Sequence, residues 1–228
     1  MSHAPETTIE VDTPALKKAK DDAVSAHIKI LENFYSFLIS FALTQATMKL
    51  ADGWIANGLS IKMLGAGILY ISLLVTIVPF YQGMNRFLYA THVVRPIEKP
   101  GSRSSPMLLD IYAFLLMSCI LFAMGRFLSD PTTFFYLWSS LLVIDIIWSI
   151  IVWKIQDSRE PIWVWNNLIF LCSAWGFWAI ARATTLPPCL AGTEWVLPYG
   201  FVAFEIGRTV RDYRINWKYY FPAEYRGF

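Results

Sequence analysis

The stretch that decides the fold is Phe134–Trp153, FFYLWSSLLVIDIIWSIIVW, in which Asp145 is the one charged side chain. A helix needs about 20 consecutive, mainly apolar residues to cross the hydrocarbon core of a bilayer. A helix on the surface of a soluble protein buries one apolar stripe and carries polar residues on its opposite face. Phe134–Trp153 has no such polar face, so it predicts a transmembrane helix.

Comparable blocks recur along the chain and predict a multi-pass, all-α integral membrane bundle. The five clearest blocks are Phe34–Leu50, Met63–Met84, Met107–Leu128, Phe134–Trp153 and Ile162–Ile180. A sixth block, Trp195–Gly207, is shorter and contains Pro198 and Glu205. We therefore expect six spans, or five spans plus a re-entrant segment.

The composition excludes several other classes of protein. Hydrophobic residues make up 56% of the 228 residues and charged residues 16%, which is too apolar for a disordered chain. Three cysteines in a chain of this length do not form a disulfide scaffold.

The distribution of Lys and Arg predicts the orientation of the bundle. With six crossings and a cytoplasmic N-terminus, 15 of the 19 Lys and Arg residues fall on the cytoplasmic side. If the sixth block did not cross, only 10 would do so. The positive-inside rule favours the first arrangement. We expect a protein of the cell (inner) membrane with both termini in the cytoplasm.

Three regions follow from this topology. Residues 1–31 form a cytoplasmic amphipathic helix that leads into the first span, and residues 32–207 form the transmembrane bundle. Residues 208–228 form a cytoplasmic tail in which basic and aromatic residues alternate.

The tail admits three interpretations. The plainest interpretation is a helix that lies on the membrane surface, with its cations and aromatic rings against anionic lipid. The same residue types hold phosphates and stack bases in sites for nucleotides or single-stranded nucleic acid. A voltage sensor is disfavoured because the arginines lie beyond the apolar block. The candidate ligand-binding residues are Arg208, Arg211, Tyr213, Arg214, Trp217 and Lys218.

Polar residues inside the spans are costly in lipid and mark a bundle interior or a pore. Asp145 is the deepest of them, and Arg86 is its candidate partner. Glu32, Asp110 and Glu205 lie near span ends, where they can reach the headgroups. The candidate pore or interior residues are Gln45, Gln82, Asn85, Arg86 and Asp145.

The sequence contains no motif of an enzyme, a metal site or a nucleotide fold. HExxH, GxSxG, GxGxxG and the Walker lysine loop are all absent, and the three histidines lack the spacing of metal ligands. We expect no catalytic residue, no bound metal and no cofactor.

These features favour a homo-oligomeric channel or pore-forming protein. Its layout and the basic–aromatic tail, Arg208–Tyr225, resemble the small multi-pass membrane effectors of bacterial antiphage defence systems. That resemblance implies a pore that a cytoplasmic nucleotide or nucleic-acid signal opens, depolarising the infected cell. It rests on no diagnostic motif, so no residue roles carry over from the family.

Two alternatives remain open. One is a non-conducting membrane sensor or scaffold that recruits a cytoplasmic protein partner through the two terminal regions. The other is a subunit of a larger membrane complex. The expected partners are membrane lipid, further copies of the chain (a tetramer is assumed), single-stranded nucleic acid or a nucleotide, and a cytoplasmic protein.

Overall fold

The computed structural model describes residues 14–98, 106–156, 162–183 and 193–221, and this part of the chain is helical without strands. The prediction of an all-α fold is confirmed. Residues 1–13 of the predicted N-terminal region and residues 222–228 of the predicted tail lie outside the described residues. The helices are α1 (Pro14–Asn57), α2 (Ile61–Tyr89), a π-helical segment (Ala90–Val94), α3 (Arg95–Glu98), α4 (Met107–Arg126), α5 (Pro131–Gln156), α6 (Ile162–Ala183), α7 (Thr193–Ile215) and α8 (Trp217–Tyr220).

Four of the described segments are long and apolar enough to cross a membrane. They are Ile61–Val94, Met107–Arg126, Pro131–Ile155 and Trp163–Ala181. Helices α1 and α7 are long enough but too polar, since Gln45 interrupts the apolar stretch of α1 and Glu205 and Arg208 interrupt that of α7.

The six long helices pack as a closed ring in the order α1, α2, α7, α6, α5, α4, and α4 returns to α1. Helix α2 also contacts α4, and α5 contacts α7, so the middle of the ring is filled. Read from α2, the ring runs α2, α1, α4, α5, α6, α7, so it differs from the chain order in that α1 and α2 exchange places.

Successive long helices run in opposite directions. Helix α1 is antiparallel to α2, since Ser36 meets Tyr81 while Thr47 meets Tyr70. Helix α6 is antiparallel to α5, since Asp145 meets Asn167 and Phe135 stacks on Trp178. One end of the bundle, the Asp110 end, therefore holds the starts of α4 and α6 and the ends of α2, α5 and α7. The opposite, Asp130 end holds the turns at 58–60 and 127–130.

The turns at the Asp130 end are closed by local hydrogen bonds. Gly58 takes the left-handed conformation (φ 61°), and the side chain of Ser60 then caps α2 by accepting from the Met63 amide. Asp130 caps α5 through the amides of Thr132 (3.1 Å) and Thr133 (3.2 Å). The hydrogen bond from the Thr133 hydroxyl to Asp130 lowers the pKa of that carboxyl group.

The predicted boundaries between the three regions, after residues 31 and 207, do not coincide with helix ends. Helix α1 is continuous from Pro14 to Asn57, and α7 is continuous from Thr193 to Ile215. At about 1.5 Å per residue, the 44 residues of α1 extend about 66 Å, roughly twice the thickness of a hydrocarbon core. The described part of the tail therefore begins as a continuation of the last bundle helix.

Candidate functional site in the bundle interior

A buried ion pair lies at the centre of the polar interior. Glu205 and Arg208 are one turn apart on α7, with 3.1 Å between Arg208 Nη2 and Glu205 Oε2. Glu205 is fully buried and Arg208 is 8% exposed. On the other side, the indole N–H of Trp138 in α5 donates to Glu205 Oε1. The carboxylate is thus held by two helices.

Asn167 joins this pair to Asp145. Its amide nitrogen donates to Asp145 Oδ2 over 2.5 Å, and its carbonyl oxygen accepts from Arg208 Nη1 over 3.5 Å. Three helices, α5, α6 and α7, therefore meet through one hydrogen-bonded chain. Because an amide separates Asp145 from Arg208, the two charges are linked without direct contact.

The next turn of α7 continues the polar contacts toward the Asp110 end. Arg211 donates to Asn166 Oδ1 over 3.2 Å. Asp212 is buried and accepts from the hydroxyl of Tyr220 (2.6 Å) and from Asn216 (2.7 Å). These contacts fold α8 back against the bundle.

A cavity of about 70 Å³ lies between α2, α5, α6 and α7, next to this network. Its volume suits a few water molecules, since one water occupies roughly 10–15 Å³ on this measure. One wall is apolar and comes mainly from α2, including Pro79 and Phe80, with Phe114 of α4 beside them. Its polar wall comprises Asp145, Ser149, Asn166, Asn167, Arg208, Asp212 and Tyr220.

A cluster of aromatic rings closes the bundle between this cavity and the Asp130 end. Phe134, Phe135 and Trp138 of α5 have no exposed surface, and Phe201 of α7 is 3% exposed. Phe135 lies 5.1 Å from Phe201 and 5.6 Å from Trp178, measured between ring centroids. We call Phe134, Phe135, Trp138 and Phe201 the aromatic plug.

A second buried carboxylate lies at the Asp110 end. Asp110 is fully buried and accepts from the indole N–H of Trp148 over 2.9 Å. His92, in the π-helical segment, lies 2.9 Å from the other oxygen of Asp110. This contact ties α4 to α5 and to the end of α2.

The predicted interior residues fall into three places. Asp145 lines the cavity. Gln82, Asn85 and Arg86 line a separate groove between α1 and α2, where Gln82 also accepts a hydrogen bond from Tyr213 (2.6 Å). Gln45 is half-buried, and its carbonyl oxygen has no hydrogen-bond partner within the described part of the chain.

The predicted pairing of Asp145 with Arg86 is wrong. Asp145 is held by Asn167, whereas Arg86 donates to the backbone carbonyl of Tyr220 over 3.4 Å. Arg86 lies on α2 near the Asp110 end, and it lines the groove beside α1, whereas Asp145 lines the cavity.

The predicted tail residues do not form one exposed face. Arg208 is buried, Arg211 is half-buried, and Arg214, Trp217 and Lys218 are exposed. Three residues advance a helix by about 300°, so side chains at this spacing shift by about 60° per step. The arginine row therefore winds from the bundle interior to the surface.

Sequence reasoning missed the partners in this network. Glu205 and Asp110 were expected to reach the headgroups, but both are buried and satisfied by indole N–H groups. The spacing of Glu205 and Arg208 was a usable signal, because side chains three apart share a helix face. No local pattern indicates which tryptophan meets which carboxylate.

The described residues contain no group of three His, Cys, Asp or Glu side chains that could hold a metal ion. Comparison with protein-family models, with curated proteins and with solved structures finds no match. The functional argument therefore rests on the geometry of this chain.

Proposed function

We propose that this chain is an ion-conducting membrane protein whose conduction path includes the polar cavity between α2, α5, α6 and α7. The observation that supports it is the cavity itself, with Asp145, Asn167 and Arg208 on its wall. Ionisable groups are expensive at membrane depth and are kept where they face a bundle interior or water. A cavity for a few waters beside such groups suits passage of a small ion or a proton.

The charges of the lining favour cations. Two carboxylates, Asp145 and Asp212, line the cavity together with one guanidinium, Arg208. Arg208 already pairs with Glu205, which lies behind it. The electrostatic potential in the cavity is therefore negative, and a cation is stabilised there more than an anion.

The described conformation corresponds to a closed channel. The aromatic plug of Phe134, Phe135, Trp138 and Phe201 fills the bundle on one side of the cavity. Hydrophobic constrictions gate channels by excluding water. Pro198 lies within α7 one turn before Phe201 and weakens the helix there, so a movement of Phe201 is the simplest opening step.

We also propose that all six long helices cross the inner membrane and that both termini are cytoplasmic. Helices α1 and α7 are more polar than the four apolar segments, but each completes the ring beside them. Glu205, Arg208 and Asp212 of α7 are buried against the other helices and do not face lipid, which removes the objection to its crossing.

Assembly and gating remain parts of the same proposal. The cavity lies within one copy, so each chain of a homo-oligomer would have its own path. A cytoplasmic nucleotide or nucleic acid would meet Arg214, Trp217 and Lys218, the exposed members of the expected ligand set. Under the alternative of a non-conducting scaffold, the same network would only hold the helices in register.

The test is cation flux through the full chain reconstituted in liposomes. Asp145→Asn keeps the size of the side chain and an acceptor for Asn167 but removes the charge. We expect cation flux to fall about tenfold, or ~1.4 kcal/mol on the barrier. Asp52→Asn, which neutralises an exposed carboxylate at the far end of α1, is the matched control and should leave the flux unchanged.

A second variant distinguishes a channel that stays closed in the liposomes from a protein that does not conduct. Phe135→Ala removes a fully buried ring of the aromatic plug and should raise the flux above that of the unchanged protein. If neither protein conducts while both remain monodisperse, the channel proposal is wrong and the scaffold is favoured. Equal flux with Asp145→Asn would remove Asp145 from the path.

A further inference from the structure

Several buried serines of the bundle have hydroxyl groups without a hydrogen-bond partner in the described part of the chain. They are Ser72, Ser118, Ser139 and Ser149, and their exposed fractions lie between 0% and 8%. A buried polar group without a partner lowers stability, and an alanine at the same position avoids that cost. These hydroxyls therefore need a reason other than packing.

One of the four serines lines the cavity together with Asp145. Ser149 lies four residues after Asp145 on α5, so both side chains share one face of that helix. Within the described residues, the hydrogen bond to Asp145 comes from Asn167 and ends on Oδ2, so Oδ1 is not held by another side chain. The other charged groups of the cavity lining are Arg208 and Asp212. Asp145 thus has one carboxylate oxygen at which a proton can be taken up and released.

The other three serines continue the polar lining beyond the cavity. Each lies about one helical turn nearer to the Asp130 end than a residue of its own helix that lines the cavity. The pairs of serine and cavity residue are Ser72 and Thr76 in α2, Ser118 and Phe114 in α4, and Ser139 and Leu142 in α5. Because side chains three or four residues apart share a helix face, each hydroxyl lies on the side of its helix that faces the cavity.

Hydroxyl groups in these positions suit a proton better than a metal cation. A hydroxyl can accept a proton on a lone pair and release its own, so the group is unchanged after the transfer. A metal cation must instead keep or replace its shell of oxygen ligands along the whole path. On the α2 wall of the cavity, Thr76 is the only lining residue with a side-chain oxygen. The described lining therefore offers groups that pass on a proton but an incomplete ligand shell for a metal ion.

We propose that the ion carried by this chain is the proton, and that it passes between Asp145 and the Asp130 end along the hydroxyls of Ser72, Ser118 and Ser139. This inference rests on the proposed function and names its substrate. Water in the cavity, beside Ser149, brings a proton to the carboxylate of Asp145. The carboxyl group then releases the proton to water or to the nearest serine hydroxyl, and only O–H bonds form and break.

The test is proton flux through the full-length protein in liposomes that contain a pH-sensitive dye. We expect a pH gradient to collapse through the unchanged protein, and faster through Phe135→Ala. Sodium and potassium efflux should stay at the level of liposomes without protein. A potassium ionophore balances the charge in the proton assay and is omitted from the sodium and potassium assays.

Alanine at the three serines tests the path beyond the cavity. Ser72→Ala, Ser118→Ala and Ser139→Ala together should lower the proton flux about tenfold, or ~1.4 kcal/mol on the barrier. The midpoint of thermal unfolding should not fall, because no hydrogen bond to a described residue is lost. Each change is also made singly and should lower the flux, which tests the path even if the combined variant does not fold. Ser140→Ala, at the exposed serine beside Ser139, is the matched control and should leave the proton flux unchanged.

The outcomes separate this inference from the proposed function. Sodium or potassium flux as fast as the proton flux would overturn the assignment of the proton and leave ion conduction standing. Proton flux that is unchanged by alanine at all three serines would overturn the path along their hydroxyls. No flux of any cation through either the unchanged protein or Phe135→Ala would overturn the proposed function, and the proton inference with it.

Discussion

Arg208 has a different role from Arg214, although both belong to one evenly spaced row on α7. Arg208 is buried and contacts Glu205 and Asn167, whereas Arg214 is exposed. A cation in water contributes little to stability, but removing one partner of a buried pair leaves an uncompensated charge. The contribution of each arginine to the free energy of unfolding therefore depends on whether its position around the helix faces the bundle interior or the surface.

We predict that Arg208→Ala destabilises the protein by about 3–5 kcal/mol, because Glu205 then lacks its cation in the bundle interior. Arg214→Ala should change stability by less than about 0.5 kcal/mol, as expected for an exposed site. Reversible unfolding in detergent micelles, followed by the helical signal, measures both variants against the unchanged protein.

The pairing with Glu205 is isolated by a double-mutant cycle. Glu205→Gln retains an acceptor for the indole of Trp138 but removes the negative charge. Combined with Arg208→Gln, it should lose less stability than the two single changes add up to. Strict additivity would mean that Arg208 acts through Asn167 rather than through Glu205.

At the scale of the helices, α1 and α4 approach closely because small residues face one another. Ala42 and Ala46 of α1 have no exposed surface. A Cβ atom placed on Gly125 of α4 would lie 3.0 Å from the carbonyl oxygen of Ala42 and 3.2 Å from Ala46 Cβ. Small residues at such contacts let two helix backbones approach closely. This close packing is needed in a membrane because the hydrophobic effect does not drive helices together in lipid. The pair closes the ring between its first and third long helices.

We predict that Gly125→Ala costs about 1–3 kcal/mol, because the backbone of α1 must move to accept the methyl group. Gly67→Ala is the matched control, since a Cβ atom there meets nothing within 4 Å. That change should be neutral or slightly stabilising, because alanine favours helix over glycine. Thermal unfolding of the two variants separates crowding from helix propensity, and equal midpoints would contradict the close α1–α4 contact.

At the scale of the whole molecule, the alternating directions of the helices bring the polar residues of three helices together at one level of the bundle. Asp145, Asn167 and Arg208 come from α5, α6 and α7, and the wall opposite them comes mainly from α2. The cavity has this wall because α2, and not α1, packs beside α7 in the ring.

The six-crossing topology predicts which residues are reachable from each side of the membrane. In a chain with Cys119, Cys172 and Cys189 replaced by Ser, an impermeant maleimide should label Asn57→Cys in intact cells. Lys154→Cys and Lys218→Cys should react only after permeabilisation. Asn57, Lys154 and Lys218 are all exposed, so whether the reagent reaches each introduced cysteine depends on the side of the membrane on which it lies. Labelling of Lys218→Cys in intact cells would mean that α7 does not cross.

The sequence by itself determined the helical class, the need of Asp145 for a polar environment, and four of its five clearest spans, since the fifth, Phe34–Leu50, lies in a helix too polar to count as apolar enough to cross. These follow from composition and from the cost of burying polar groups in lipid, both of which are local quantities. Only the tertiary structure decided that Asn167 holds Asp145, that Trp138 and Arg208 hold Glu205, and that the arginine row turns inward. Those pairings depend on the rotation of each helix about its axis and on the order of helices in the ring, and packing between distant segments sets both.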